Sequence, residues 1–165
     1  MDSKLSKLGK LIGIAEGWVD VVEFVSDGWL RERGSARGTF AEFWVDDPDD
    51  MKLGIFLDES LIVDEKLITL AHELGHARNF IDDFKRDSEH MKFLESSPSA
   101  TVLLERYAWL YSVDFLKMVD FEDWDEFLEA VDFSLKTYHG NRCNIQSEEN
   151  FWKQLKNRIG KEVVV

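Results

Sequence analysis

The chain has 165 residues, 44% of them hydrophobic and 13% aromatic, which excludes a disordered protein and predicts one packed globular domain over residues 1–165. Its formal charge of −13 argues against direct binding to DNA or RNA, because the phosphate backbone would repel an acidic surface. Cys143 is the only cysteine, so an intrachain disulfide is excluded and a reducing compartment is favoured. We interpret its thiol as a passive residue.

The start of the chain carries no pattern typical of membrane insertion or secretion. Its longest uncharged run, Leu11 to Ala15, falls short of the roughly 20 apolar residues of a transmembrane helix and the about 7 of a signal peptide. We therefore expect a cytoplasmic protein without a membrane partner.

Apolar residues at helical spacing predict a first helix from Lys4 to about Ser26. Gly9, Gly13 and Gly17 are four residues apart, so they form a stripe on this helix against which another element is expected to pack closely. A polar, glycine-containing loop is predicted from Asp27 to Gly38.

Two strands are predicted next, T-F-A-E-F-W-V at residues 39–45 and K-L-G-I-F-L-D at residues 52–58. The turn D-D-P-D-D at residues 46–50 joins them into a hairpin. Because an isolated hairpin is only marginally stable, we expect it to pack on the helix that follows.

Helices are predicted for most of the remaining chain. The first opens at the N-cap Asp64 and continues to about Phe80, and a polar loop is expected over residues 82–99. Three further helices are predicted from Ala100 to about Val119, from Asp123 to Tyr138 with Gly140 as its C-cap, and from Ser147 to Ile159. The predicted fold class is α+β, mostly helical, with a small β-sheet or hairpin packed on the helix of residues 64–80.

The stretch T-L-A-H-E-L-G-H-A-R-N-F at residues 69–80 contains two histidines four residues apart. On a helix such residues differ in direction by about 40°, so His72 and His76 point the same way and are able to bind one Zn²⁺. Glu73 lies about 100° around the helix from His72, which suits a general base for a metal-activated water better than a ligand. The alternative interpretation is a pair of surface histidines on an ordinary helix.

The motif A-H-E-L-G-H, preceded by a short strand-rich stretch, resembles the zincin metallopeptidases and most closely the ImmA/IrrE-type family. The resemblance covers about residues 50–120. It implies a zincin-like fold of gluzincin type, in which a glutamate some thirty residues after the motif is the third zinc ligand, here Glu105. It also implies a peptidase that acts on a regulatory protein, since this family is associated with cleavage of helix-turn-helix repressors.

The helix predicted over residues 100–119 gives a second reason to select Glu105. Its solvent face is expected to carry the charged residues Arg106, Asp114 and Lys117. Glu105 points roughly 135° away from the centre of that face, alongside Thr101, Ala108 and Ser112. A buried carboxylate requires compensation, which a metal would supply. The alternative is an ion pair with a cation such as Arg78.

Asp82 is the competing third ligand. Another zincin branch places its third ligand at the end of a longer motif, and in H-E-L-G-H-A-R-N-F-I-D that position is Asp82. The turn glycine of that branch is replaced by Asn79, which tolerates a left-handed backbone. The remaining candidates are His90, Glu95 and His139.

These residues predict a zinc-dependent peptidase with His72, His76 and Glu105 as metal ligands and Glu73 as catalytic base. The oxyanion donor stays open among Tyr107, Tyr111, Tyr138 and His139. The strand from Leu53 to Leu57 is expected to pair with an extended peptide or protein substrate, for which a basic or DNA-binding regulator suits the acidic charge. The alternative is an acidic binding protein, a degenerate or metal-bearing zincin fold that sequesters or inhibits a partner without hydrolysis. The affinity of the predicted site for zinc should fall below about pH 6.5, because its histidine ligands must be neutral.

Overall fold

The computed structural model describes residues 3–84, 98–139 and 145–160. Helices α1 to α6 span Lys4–Glu16, Asp27–Glu32, Val63–Asn79, Pro98–Met118, Trp124–His139 and Ile145–Gly160. Strands β1 to β3 span Val21–Val25, Gly38–Trp44 and Met51–Asp58. The predicted α+β class, mostly helical with a small sheet, is confirmed. Within the described ranges, no helix is both long and apolar enough to cross a membrane.

The predicted hairpin is confirmed as β2 and β3, which pair antiparallel with Trp44 opposite Met51 at the turn. In the described part of the chain the sheet has the order β1-β3-β2, with β1 parallel to β3. The strand β3 is therefore central, and the prediction that residues 53–57 offer an exposed edge to a substrate is wrong.

The prediction of a single helix up to Ser26 is also wrong. Helix α1 ends at Glu16, and the run V-V-E-F-V forms β1 in register with Gly54 to Asp58. β-Branched and aromatic residues favour an extended backbone, and the Asp20 carboxylate fixes the start of the strand by accepting from the backbone N–H of Leu53 at 2.9 Å. The spacing of Val19 and Val22 also fits a helix, so the local pattern did not separate the two structures.

Two further helix starts differ from the predicted elements. The predicted loop of residues 27–38 begins with α2, whose N-cap Ser26 accepts from the backbone N–H of Trp29 at 3.1 Å. Helix α3 begins at Val63, and its N-cap Ile62 makes no side-chain hydrogen bond. Asp64, the predicted N-cap, lies inside the helix and forms a 2.8 Å ion pair with Lys4 of α1.

The later helices agree with the predictions within about two residues at the ends that the structure describes. Helix α3 is followed by a π-helical turn, Phe80–Phe84, which the sequence did not indicate. The proposed C-cap Gly140 and the lone Cys143 lie outside the described residues.

Helix α3 is the centre of the fold and supplies fully buried side chains to the core, including Leu70, Ala71 and Leu74. Its closest neighbour is α4, which crosses it at Gly75. A Cβ at Gly75 would lie 2.8 Å from the carbonyl carbon of Ala108, so the crossing requires glycine. The glycine stripe predicted on α1 has no such role, because a Cβ at Gly9 or Gly13 would meet nothing within 4 Å.

We expect Gly75→Ala to destabilise the protein by about 1–3 kcal/mol or more. The added methyl group would collide with the backbone of Ala108, and no side-chain rotation relieves that contact. Gly9→Ala, at an exposed and unobstructed site on α1, is the matched control and should stabilise the fold by roughly 0.5–1 kcal/mol. Urea unfolding of both variants measures the difference. Equal stability of the two would contradict the close crossing.

Candidate metal centre

Three side chains from two helices converge at the border of a cavity that β2 also lines. Helix α3 presents His72 and His76 one turn apart, and α4 presents Glu105 opposite them. The Nε2 atom of His72 lies 3.0 Å from Glu105 Oε2, and the Nε2 atom of His76 lies 3.0 Å from Glu105 Oε1. The two Nε2 atoms are 3.2 Å apart. The structure thus brings together the three residues that the sequence selected as ligands.

These separations fit a tetrahedral zinc ion. Ligands about 2.0–2.1 Å from Zn²⁺ in tetrahedral geometry lie about 3.3 Å from one another. The two Nε2 atoms, 3.2 Å apart, are close to that edge length, and one carboxylate oxygen of Glu105 lies within 4.8 Å of both. Two imidazoles and a carboxylate are also the donor set of one group of catalytic zinc sites, and they leave the fourth position for water. The residues present therefore fit the metal that the motif predicts.

Glu73 lies beside the group of converging ligand atoms without belonging to it. It is buried, but it borders the cavity that also contains His72, His76 and Glu105. The group of converging ligand atoms does not include it. The cavity has a volume of about 570 Å³, within the roughly 300–1,000 Å³ typical of small-ligand sites.

Glu105 and His76 shift each other's protonation. Burial by itself would lower the pKa of His76, but the charges of Glu105 and Glu73 and a hydrogen bond to Glu105 raise that pKa to about 9. Burial would likewise raise the pKa of Glu105, and the two histidines hold it well below its usual range. The metal-free pair is therefore an ion pair at neutral pH.

A metal must displace the proton on His76, so zinc binding between pH 6.5 and about 8 should release about one proton, and less as the pH approaches about 9. The affinity for zinc should then begin to fall below about pH 9 instead of below about pH 6.5. In the metal-free protein, the ion pair of protonated His76 stabilises the fold. This contribution is fully present below pH 6.5 and is lost as the pH rises through the raised pKa of His76, about 9. Calorimetric titration with zinc in buffers of different ionisation enthalpy counts the protons. Release of none at pH 7.5 would contradict the ion pair.

Asp82 lies apart from the histidines and forms a 3.7 Å ion pair with Arg78. The rival motif needs a left-handed turn at Asn79, but α3 includes Asn79 and continues directly into the π-helical turn. Arg78 also pairs with Asp114 at 3.0 Å, and Glu105 faces the two histidines, so Arg78 is not the cation beside Glu105. His90 and Glu95 lie outside the described residues, as does the side chain of His139.

The predicted solvent face of α4 is wrong although the direction of Glu105 is right. Arg106 is only 6% exposed, and its guanidinium donates to the Ser147 hydroxyl of α6 at 2.8 Å. Asp114 accepts from Arg158, also on α6, at 2.9 and 2.7 Å. The predicted solvent face therefore forms a polar interface with α6. Glu105 lies on the opposite side of α4 and faces α3.

The tyrosines proposed as oxyanion donors do not border the cavity where the structure describes them. Tyr107 is exposed, and the ring of Tyr111 lies 4.4 Å from the guanidinium carbon of Arg78. The side chains of Tyr138 and His139 fall outside the described residues. The hydroxyl and guanidinium donors that do border the cavity were not predicted from the sequence; they are Ser35, Arg37, Thr39, Thr69, Ser134 and Thr137.

Arg37 is the one lysine or arginine among the described residues that border this cavity. Its backbone is left-handed, with φ 67°, and its carbonyl accepts from the N–H of Asp58 at 2.8 Å. Its guanidinium carbon lies 5.8 Å above the ring of Phe133. No local pattern could select it, because the cavity forms only when the loop before β2 packs opposite α5.

A scan of protein-family models and searches of curated proteins and of solved structures each found no match to this chain. The resemblance to ImmA/IrrE-type zincins therefore rests on the motif and its spacing to Glu105, and it stays a prediction.

Proposed function

We propose that this protein is a zinc-dependent peptidase in which His72, His76 and Glu105 hold the metal. The observation that supports this most strongly is the convergence of two imidazole nitrogens and a carboxylate oxygen within 4.8 Å of one another, at the border of a cavity. A carboxylate able to act as a base, Glu73, borders the same cavity. Two surface histidines on a helix would have neither the third group nor the cavity.

The chemistry divides between the metal and two side chains. A bound zinc ion is a Lewis acid that polarises a peptide carbonyl and lowers the pKa of water. Glu73 accepts the proton of the attacking water and delivers it to the leaving amine. Arg37 is assigned to donate hydrogen bonds to substrate oxygen atoms, because it is a cation that borders the cavity without a carboxylate partner among the described residues.

The substrate is proposed to bind along β2. Within the described ranges this strand is an edge of the sheet, and Gly38, Thr39 and Phe40 border the cavity. An extended peptide is able to add to such an edge through main-chain hydrogen bonds and so place one peptide bond over the histidines. A charge of −13 favours a basic substrate, such as a DNA-binding regulator. The lone thiol Cys143 suits the proposed cytoplasmic location.

The experiment that tests this function is metal-dependent cleavage of unstructured basic peptides, followed by mass spectrometry. The metal-free protein should be inactive, one equivalent of zinc should restore cleavage, and a chelator should abolish it again. Cleavage that is insensitive to the chelator would contradict a metallopeptidase. Zinc binding without cleavage of any peptide, together with tight binding of a basic partner, would favour the binding protein.

A further inference from the structure

Among the residues that the structure describes, His72 has no partner of the kind that usually orients a metal-binding histidine. Such a histidine usually donates its second ring N–H to a carboxylate, a carbonyl or water, which fixes the orientation of the ring. The Nε2 atom of His72 faces His76 and Glu105, so Nδ1 is the second nitrogen. That atom is buried and has no hydrogen-bond partner among the residues that the structure describes.

The ring of Trp109 lies where it restrains His72 instead. The two rings are stacked, with centroids 3.9 Å apart and planes inclined by 25°. Trp109 also packs against the fully buried Phe127, whose ring centroid is 5.6 Å away and whose plane is inclined by 77° to the indole. Trp109 is one helical turn after Glu105 on α4, so one helix supplies both a ligand and the flat surface against which another ligand rests.

The contact is made by the face of the indole and not by its polar group. The Nε1 atom of Trp109 is buried and likewise has no hydrogen-bond partner in the described part of the chain. An indole that served as a hydrogen-bond donor to the site would have an acceptor within reach. The stacked face is therefore what Trp109 contributes to His72.

We propose that Trp109 is a positioning residue for the metal centre, whose ring face holds the His72 imidazole with Nε2 toward His76 and Glu105. This inference rests on the proposed function, because it concerns how the ligand set is held for zinc. A metal-bound imidazole is electron-poor, so its attraction to the electron-rich indole face should increase when the metal binds. An aromatic face at residue 109 should thus be needed for tight zinc binding, whereas the indole N–H should not.

Zinc dissociation constants for four proteins test this proposal, measured by competition with a chromophoric chelator. They are the wild type, Trp109→Leu, Trp109→Phe and Phe115→Leu. Leucine fills much of the space without a flat face, and phenylalanine restores the face without the N–H. Phe115→Leu is the matched control, since Phe115 is a buried aromatic residue of α4 whose ring pairs with Trp18.

We expect Trp109→Leu to weaken zinc binding about 10–100-fold, the usual effect of removing a group that orients a ligand. Trp109→Phe should stay within a few-fold of the wild type, and Phe115→Leu should leave the affinity unchanged although it lowers stability. Zinc should also alter the tryptophan fluorescence of the wild type more than that of Trp109→Phe. Thermal unfolding of each metal-free variant verifies that it is folded.

Three results would overturn the inference: unchanged affinity in Trp109→Leu, an equal loss in Trp109→Phe, or an equal loss in Phe115→Leu. The last would show that any damage to the core of α4 weakens the site. A wild-type protein that binds no zinc would remove the proposed function as well. Zinc binding by the wild type together with unchanged affinity in Trp109→Leu would remove the inference alone.

Discussion

Glu73→Gln is expected to keep the fold and the metal while hydrolysis falls by several orders of magnitude. Glutamine has the shape of glutamate but cannot accept the proton of the attacking water. Glu73 borders the cavity and is absent from the group of converging ligand atoms, so zinc affinity should change by less than about tenfold. Initial rates of peptide cleavage, with zinc content measured on the same samples, give both quantities.

Glu16→Gln provides the matched control for this variant. It makes the same change of charge at an exposed position on α1 and should leave both the rate and the zinc content unchanged. Cleavage by Glu73→Gln at the rate of the wild type would rule out the peptidase mechanism. Loss of zinc from Glu73→Gln would instead make Glu73 a ligand and contradict the proposed geometry.

Glu105→Ala is expected to weaken zinc binding by orders of magnitude, because it removes one of three ligands and the carboxylate that bridges both histidines. The metal-free variant should also lose about 1–3 kcal/mol of stability, since the two imidazoles would be left without their acceptor in a largely buried site. Asp82→Ala should bind zinc like the wild type, because Asp82 pairs with Arg78 instead.

Side-by-side titrations of Glu105→Ala and Asp82→Ala decide between the two candidate third ligands. Glu105→Gln adds a control for shape, because it keeps the size of the side chain and removes its charge. It should also bring the pKa of His76 back down, since the charge of Glu105 raises it. If Asp82→Ala empties the site and Glu105→Ala does not, the ligand set proposed above is wrong.

Local patterns were sufficient wherever a single segment carries the information. The turn at residues 46–50 fixed the hairpin, because five turn-forming residues separate two runs of strand formers. The spacing of His72 and His76 fixed their common direction once α3 was known to be a helix. The direction of Glu105 followed in the same way from the periodicity of α4.

Features that depend on tertiary partners were not predictable from these patterns. The strand β1 exists because it pairs with β3, which lies some thirty residues later in the chain. Arg106 was assigned to solvent because an arginine on a helix is usually exposed, but α6 covers it and provides a hydrogen bond. The stacking of Trp109 on His72 likewise depends on where α4 crosses α3 at Gly75. A periodic pattern gives the direction of a side chain but does not identify what lies there.

The measurement that tests the account most directly is a zinc titration of metal-free wild-type protein, run beside a known zincin and beside Glu105→Ala. We predict one zinc ion per chain for the wild type, with release of about one proton at pH 7.5, and no tight binding by Glu105→Ala. A stoichiometry near zero for the wild type, while the known zincin binds its metal, would contradict the metal centre and the peptidase proposed from it.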